Sequence, residues 1–450
     1  MTEMRQDLLA QPGSSAYRAA TTPHNSTATQ QPAVVARAHS AEEVAEAVRW
    51  AADRNLGVAV QASGHGAGAP IGADQVLIDT SGLDDVSIDP DARIAQVGAG
   101  ATWSAVNSRT QQHGLFGLAG SSPTVAVAGY IFGGGVGWLT RPYGMASSAL
   151  LAVDYIDGSG QPRRAAEDAP DPVDRAALWA FRGGGGVGVA TSLTLELVAP
   201  QALWAGYQLW DITALKPVAD AWSSAMGEVG DALSTSISVL HTPPGSPFPA
   251  SLRGVPIVHL AFASPAGPDA AAPLLRALCD APPPALDSSW APADAARLAE
   301  IHLDPPDPLP ALGIGRWLGP TTPKLAGDVL STAAAPGSPV AMIELRNVGN
   351  SAPARDGAMT TVPGPFLLHA VGLAADPSSR AATEQGLAQV HAAAALADVG
   401  LAAASFAEGR AEVTDGLQPA APRRLAGVRA AVDPDRRVAP TRVLAADGVV

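Results

Sequence analysis

Three groups of residues in this chain have types and spacings suited to chemistry. The first is a histidine between glycines, Gly64-His65-Gly66, within the run Ala62-Ser63-Gly64-His65-Gly66-Ala67-Gly68. A glycine loop after a strand can turn backbone N–H groups toward a phosphate. An imidazole in such a loop can act as a nucleophile. The second group is glycine itself. Gly117, Gly120, Gly129, Gly133, Gly134, Gly135, Gly137 and Gly144 form one dense stretch, and Arg182 to Gly188 form another. Such runs bring backbones close to each other or to a ligand. The third group is titratable residues set at alternate positions of apolar runs. Met342, Glu344 and Arg346 share one face of a strand, and Ile343 and Leu345 share the other. His259 lies with Ile257 and Ala261, opposite Val258, Leu260 and Phe262, while His369 lies with Leu367 and Val371. A carboxylate or imidazole placed this way can take a proton. The plainer alternative is a solvated Glu344–Arg346 pair and histidines satisfied in the core or at the surface.

The elements that must position these groups can be read from the same chain. Residues 33–38 read as a strand. Ser40-Ala41-Glu42-Glu43 matches a capping box, and Val44, Ala47, Val48 and Ala51 follow at helical spacing. Gly57 ends that helix, and 58–61 is the next strand. The histidine loop therefore closes a β-α-β unit. It leads into Pro70 and another strand, not a helix, so a dinucleotide fingerprint of the G-x-G-x-x-G kind is excluded by context. No Gly-Lys-Ser/Thr follows, so a P-loop is excluded too. Residues 75–80, 93–97 and 190–197 read as strands, and 102–113 as a helix. His113 stands at that helix's C-terminus, before the stop residue Gly114. Beyond Pro200 the texture changes. Strands are expected at 237–241, 256–263, 341–347 and 366–373, with helices near 215–228, 269–280, 292–301 and 379–398. Mixed elements in one block predict an α+β domain with one sheet face covered. A helix over 422–429 and the turn Val432-Asp433-Pro434 end the readable pattern. The expected organisation is an N-terminal arm (1–29), a first domain (30–200), a second (201–406) and a return segment (407–450).

Composition narrows the classes. The 450 residues carry a formal charge of −14. That argues against nucleic-acid binding through a broad basic face. Gly (46) and Pro (40) exceed ordinary usage yet stay below the level of disordered low-complexity chains. Cys279 is the single cysteine, so no internal disulfide framework or cysteine-based zinc site is expected. No His/Cys/Asp/Glu group has metal-ligand spacing, and no metal is expected. The start lacks a secretory pattern and no apolar run is long enough to span a bilayer. A cytoplasmic protein without membrane attachment is expected.

The three glycine segments occur in a fixed order, each beside a strand. In that order the chain resembles FAD-linked oxidoreductases of the vanillyl-alcohol oxidase superfamily, closest to the berberine bridge enzyme-like branch. The residues that carry the resemblance are Ser63-Gly64-His65-Gly66, Ser122-Pro123-Thr124-Val125 with Gly129 and Gly133-Gly134-Gly135, and Tyr143-Gly144. Leu178-Trp179-Ala180-Phe181-Arg182-Gly183-Gly184, Gly188-Val189-Ala190-Thr191 and the tail Arg424-Leu425…Val432-Asp433-Pro434 complete it. The resemblance implies a two-lobed, PCMH-type FAD-binding domain and an α+β substrate domain with an antiparallel sheet. It implies that Ala62, Ser63, Gly64, His65 and Gly66 hold the FAD pyrophosphate, and that His65 bonds to the flavin 8α-methyl. Gly120, Ser121, Ser122, Thr124, Val125, Gly129, Gly133, Gly134 and Gly137 would cradle the isoalloxazine and ribityl chain. Gly188 and Val189 would lie at the adenine end, and Phe406 would belong to the flavin site.

Departures from the family pattern matter as much. Ser122 stands where doubly linked members carry cysteine, and a serine hydroxyl is a far poorer nucleophile than a thiolate. Attachment through His65 only is therefore expected. Gln61 replaces the loop's usual arginine, and the glycine run before Val189 is one residue short. The family's Tyr-x-Asn-Phe element aligns with Ala403-Ala404-Ser405-Phe406, so its tyrosine is Ala403. Of the five tyrosines, only Tyr207 lies beyond residue 200. A base from the second domain must then be His, Asp or Glu, and Glu344, Arg346, His259 and His369 are the candidate catalytic residues. The implied activity is hydride transfer from a small organic, secondary-metabolite substrate to FAD, with O₂ as acceptor, in a monomer or homodimer. The alternatives are an FAD-containing cyclase with no net redox change and a flavin-binding scaffold without catalysis.

Overall fold

The computed structural model describes residue 5 and residues 8–305, 307–349 and 351–444, with the backbone alone at Ser289. Three sheets organise it. The first contains β1 (Leu9–Ala10), β2 (Val34–Arg37), β3 (Gly57–Gln61) and β4 (Gln75–Asp79), in the order β1-β2-β4-β3. β4 runs parallel to both β2 and β3. The helix Ala41–Ala52 makes the crossover and buries Val44, Ala45, Ala47, Val48 and Ala51. Ser40 Oγ accepts the Glu43 N–H, as an N-cap should. The Glu43 carboxylate, however, accepts the N–H of His39 at 2.6 Å, so the reciprocal half of the box is displaced by one residue.

The second sheet is antiparallel. Its strands are β5 (Val86–Asp89), β6 (Ile94–Gly98), β7 (Leu150–Ile156), β8 (Pro162–Ala166) and β9 (Val189–Glu196), in the order β5-β6-β9-β7-β8.

The third sheet has eight antiparallel strands, twice the four that the sequence pattern shows. They are β10 (Trp204–Asp211), β11 (Ser234–His241), β12 (Pro256–Ser264), β13 (Leu286–Pro292), β14 (Ala311–Leu318), β15 (Val340–Asn347), β16 (Phe366–Leu373) and β17 (Asp398–Ala402). Their order is β13-β10-β12-β11-β15-β16-β14-β17. One face packs on the helices Leu215–Ala225, Thr322–Ser331 and Pro377–Ala394. Val218, Trp222, Val329, Leu330, Leu387 and Val390 meet Val258, Leu260, Ile343, Leu345 and Leu368 there. β14 hides its nature with two glycines. A Cβ at Gly315 would sit 2.6 Å from the Phe406 Cβ, so the close approach of the 403–406 turn requires glycine.

Both chain ends return to the first sheet. Val58 of β3 donates to the Arg437 carbonyl and accepts from Ala439, extending that sheet at its open edge. Near the N-terminus, His24 donates its N–H to Ser63 O and Ser26 donates to Leu309 O. The Asn25 side chain donates to Ala311 O at 2.9 Å. The arm thus ties the histidine loop to the start of β14. Among the described residues no helix is long and apolar enough to cross a membrane.

Candidate active site

The loop after β3 is built by close packing. Gly64 has φ +72°, and a Cβ there would lie 2.6 Å from Pro23 Cβ, so both conformation and space require glycine. His65 Nε2 is 2.9 Å from Thr124 Oγ1, and Thr124 Oγ1 is 3.2 Å from Ser122 Oγ. Ser63 Oγ accepts the Ala126 N–H at 3.1 Å. The segments 62–66 and 120–126 therefore face each other directly. His24 stacks on His65, with ring centroids 3.6 Å apart. Burial, and then the His24 charge, push the His65 pKa down to about 4. The imidazole is neutral at pH 7 and keeps its nucleophilic lone pair. Among the described residues, neither the His65 nor the Gly66 N–H has a protein acceptor.

Most of the other candidate glycines are explained by protein packing. A Cβ at Gly120 would meet the Tyr130 ring at 2.9 Å, and one at Gly134 would meet Met145 and Met359. Gly133 accepts from Ser405 Oγ at 2.7 Å, and Gly137 lies under the Ala119 carbonyl. Gly188 lies against Tyr155 and the Ile156 carbonyl of β7, and Val189 is buried and pairs with Ile156. Gly129 differs: nothing lies within 4 Å of where its Cβ would be.

The uncovered face of the third sheet holds the titratable candidates in one row. His259 of β12 pairs with Ser238 of β11, Ser238 with Glu344 of β15, and Glu344 with His369 of β16. Glu344 and Arg346 are not solvated: they are 0% and 1% exposed. They form a two-pronged pair, with Arg346 Nε donating to Glu344 Oε1 at 3.1 Å and Nη2 to Oε2 at 2.9 Å. The Arg346 guanidinium lies 4.9 Å from the Trp138 ring centre and 6.0 Å from that of Phe406. Trp138 is thus a core residue that also walls the site.

A third histidine completes the cluster. His302 Nδ1 is 2.8 Å from Asp304 Oδ1, and its Nε2 is 3.3 Å from Glu344 Oε2. Burial alone would lower its pKa, but the two carboxylates override that and raise it to about 10. Burial would raise the Glu344 carboxyl. Arg346 and His302 overcome this and hold it well below the usual carboxylate range. Asp304 is lowered in the same way, by His302 against burial, with the Ser121 hydroxyl helping. Ser121 belongs to the segment that faces His65, so the cluster adjoins the loops.

His369 is a different kind of group. Its Nε2 is 3.1 Å from Glu408 Oε1, which fixes the proton on Nε2 when the ring is neutral. Its Nδ1 is buried without a partner. His259 donates Nε2–H to the Ile301 carbonyl at 2.9 Å, and burial followed by the His302 charge lowers its pKa to about 4. Ala403 is buried and leaves no side-chain base at the tyrosine position.

Comparison with known proteins identifies the first region. Residues 32–166 match the FAD binding domain family. The chain is 29% identical over 216 residues to (R)-6-hydroxynicotine oxidase of Paenarthrobacter nicotinovorans, covering 47% of this chain and 46% of that protein. It is 34% identical over 170 residues to berberine bridge enzyme-like D-2 of Nicotiana tabacum, covering 35% of this chain and 28% of that protein. The matched stretch spans less than half the length of either relative. The fold matches along the whole chain. The crystal structure of 6-hydroxy-D-nicotine oxidase from Arthrobacter nicotinovorans superposes with a TM-score of 0.81 at 22% identity, covering 96% of each chain. The α+β fold with its antiparallel sheet is that of this solved structure, in line with the fold that the motif resemblance implied.

The residues of the matched region fit a flavin dinucleotide. Free N–H groups at His65 and Gly66 suit a pyrophosphate. Tyr130 carries a buried hydroxyl without a protein partner, and Gly129 leaves room for a bulky group. His302, Asp304 and Glu408 were not among the sequence candidates. His302 and Asp304 lie in a proline-rich turn with no periodicity. Glu408 lies just past Phe406, outside the 201–406 domain in which a base was expected.

Proposed function

We propose that the protein is an FAD-dependent oxidoreductase that removes hydride from a small organic substrate, with FAD bonded to His65 alone and O₂ as the final acceptor. The observation that carries this reading is the row His259–Ser238–Glu344–His369, set against the segment that faces His65. Bound FAD supplies a two-electron hydride acceptor. The chain supplies the proton chemistry. His369 keeps its Nε2–H on Glu408 and offers Nδ1 to the hydroxyl or amine proton that the substrate loses as its C–H electron pair departs. Glu344 is held ionised by Arg346 and His302, so it orients a polar group and is a poor proton acceptor. Trp138 and Phe406 wall the row and keep water out.

Residues 30–200 and 407–450 form the flavin lobe in this reading, and 201–406 the substrate lobe. Support for single attachment comes from the neutral His65 and from Ser122 in the cysteine position. A secondary-metabolite substrate follows from the branch the chain resembles. The single, exposed, unpaired Cys279 supports a cytoplasmic setting.

The test is a visible spectrum before and after acid precipitation. Yellow colour that stays in the wild-type pellet and leaves the pellet in His65→Ala is expected. Colour released by acid in both removes the covalent link. Substrates are then screened for flavin bleaching under argon. Turnover without bleaching would instead indicate a cyclase.

A further inference from the structure

We propose that Arg442 is a cofactor-binding residue, supplying the positive charge for the FAD pyrophosphate that Gln61 cannot. This rests on the reading that the protein binds FAD at the Gly64–Gly66 loop. Gln61 is uncharged and committed elsewhere: its Nε2 donates to Ala20 O at 2.9 Å, and its Oε1 accepts from Gln30 at 2.6 Å. The loop's amide dipoles would face a doubly anionic group without a cation from their own strand.

Arg442 reaches the loop from 376 residues away. Its Nη2 donates to the Gly66 carbonyl. Its Nη1 donates to Ala407 O at 2.9 Å and Ala404 O at 3.3 Å. A Cβ at Gly66 would lie 3.0 Å from Nη2, so the guanidinium packs closely against this glycine. Every one of these acceptors is a neutral carbonyl, and among the described residues Arg442 forms no ion pair. The Glu408 carboxylate acts on Arg442 without an ion pair, and a cation hydrogen-bonded only to carbonyls keeps charge available to an anion. The unpaired N–H groups of His65 and Gly66 lie on the same turn. Planar guanidinium and free amides together are the donor set that phosphate oxygens take.

The experiment uses His65→Ala as the parent, so that flavin binding is reversible. FAD and riboflavin, which lacks phosphate, are titrated into the parent and into the same protein carrying Arg442→Gln. FAD affinity is expected to fall about tenfold or more, the scale of a lost charge-assisted hydrogen bond, with riboflavin affinity unchanged. Equal losses for both ligands would make Arg442 a mere clamp on the 404–407 turn and overturn the proposal. Unchanged FAD affinity would overturn it as well. If Arg442→Gln does not melt cooperatively, the same FAD-to-riboflavin ratio is read in Arg442→Met. Wild-type protein that takes up no FAD would overturn the flavin reading itself, which is a separate result.

Discussion

The two faces of the eight-stranded sheet are made by the same strands and do opposite work. Ile343 and Leu345 point into a helix-covered apolar core, while Glu344 and Arg346, one residue along, face Trp138 and Phe406 on the other side. Both faces are dry. The apolar face gains from removal of hydrocarbon from water. The polar face must overcome the cost of stripping water from several charges, and a buried pair is often no better for stability than apolar residues of the same size. On the proposed function, a row of charges kept in that position acts on a bound molecule. The lesson is that burial alone does not separate a core from a site; the difference lies in whether neighbours on the same face are alkyl groups or partners in a charge network.

The contrast can be broken or sharpened by substitution. His369→Gln keeps a donor for Glu408 but removes the basic Nδ1. We expect kcat to fall about 10²–10⁴-fold while the melt stays cooperative; full activity would take the base role from His369. Glu344→Ala leaves Arg346 without its carboxylate partner and His302 with Asp304 alone, and should cost about 3–5 kcal/mol in denaturant unfolding. Leu345→Ala on the other face should cost about 2–5 kcal/mol. The two losses look alike, but Arg346→Met added to Glu344→Leu should restore stability without activity. If it restores nothing, the polar face is structural after all. The smallest effect concerns pH. His302 has a folded pKa of about 10 against about 6.5 unfolded. Its contribution is complete below the unfolded value and is lost as pH rises through the folded one. Stability should therefore decline from neutrality toward pH 10, and His302→Gln should flatten that slope.

Alternation made the polar row legible: each of Glu344, Arg346, His259 and His369 stands on the face that a two-residue period assigns. The crossover helix was equally clear, because Ser40 and the spacing of Val44, Val48 and Ala51 agree. β14 was not, since Gly313 and Gly315 erase its pattern to admit Glu408 and Phe406. His302 and Asp304 were hidden because a turn between a short helix and a proline run carries no period. Their partnership exists only through burial beside Glu344. The glycine runs were legible as a signature, yet most of those glycines are used for backbone packing, which the sequence alone does not distinguish from ligand approach. Arg442 gave no local signal, because its role depends on a loop far away in the chain.

The loop around His65 takes one neighbour from residue 24 and another from residue 442. A ribosome that has finished residues 30–200 has made the first of these and not the second. The nascent chain must therefore hold an incomplete loop until the last segment emerges and adds to the edge of β3. A chain stopped short of its tail would keep the histidine and lose the Arg442 contact with Gly66.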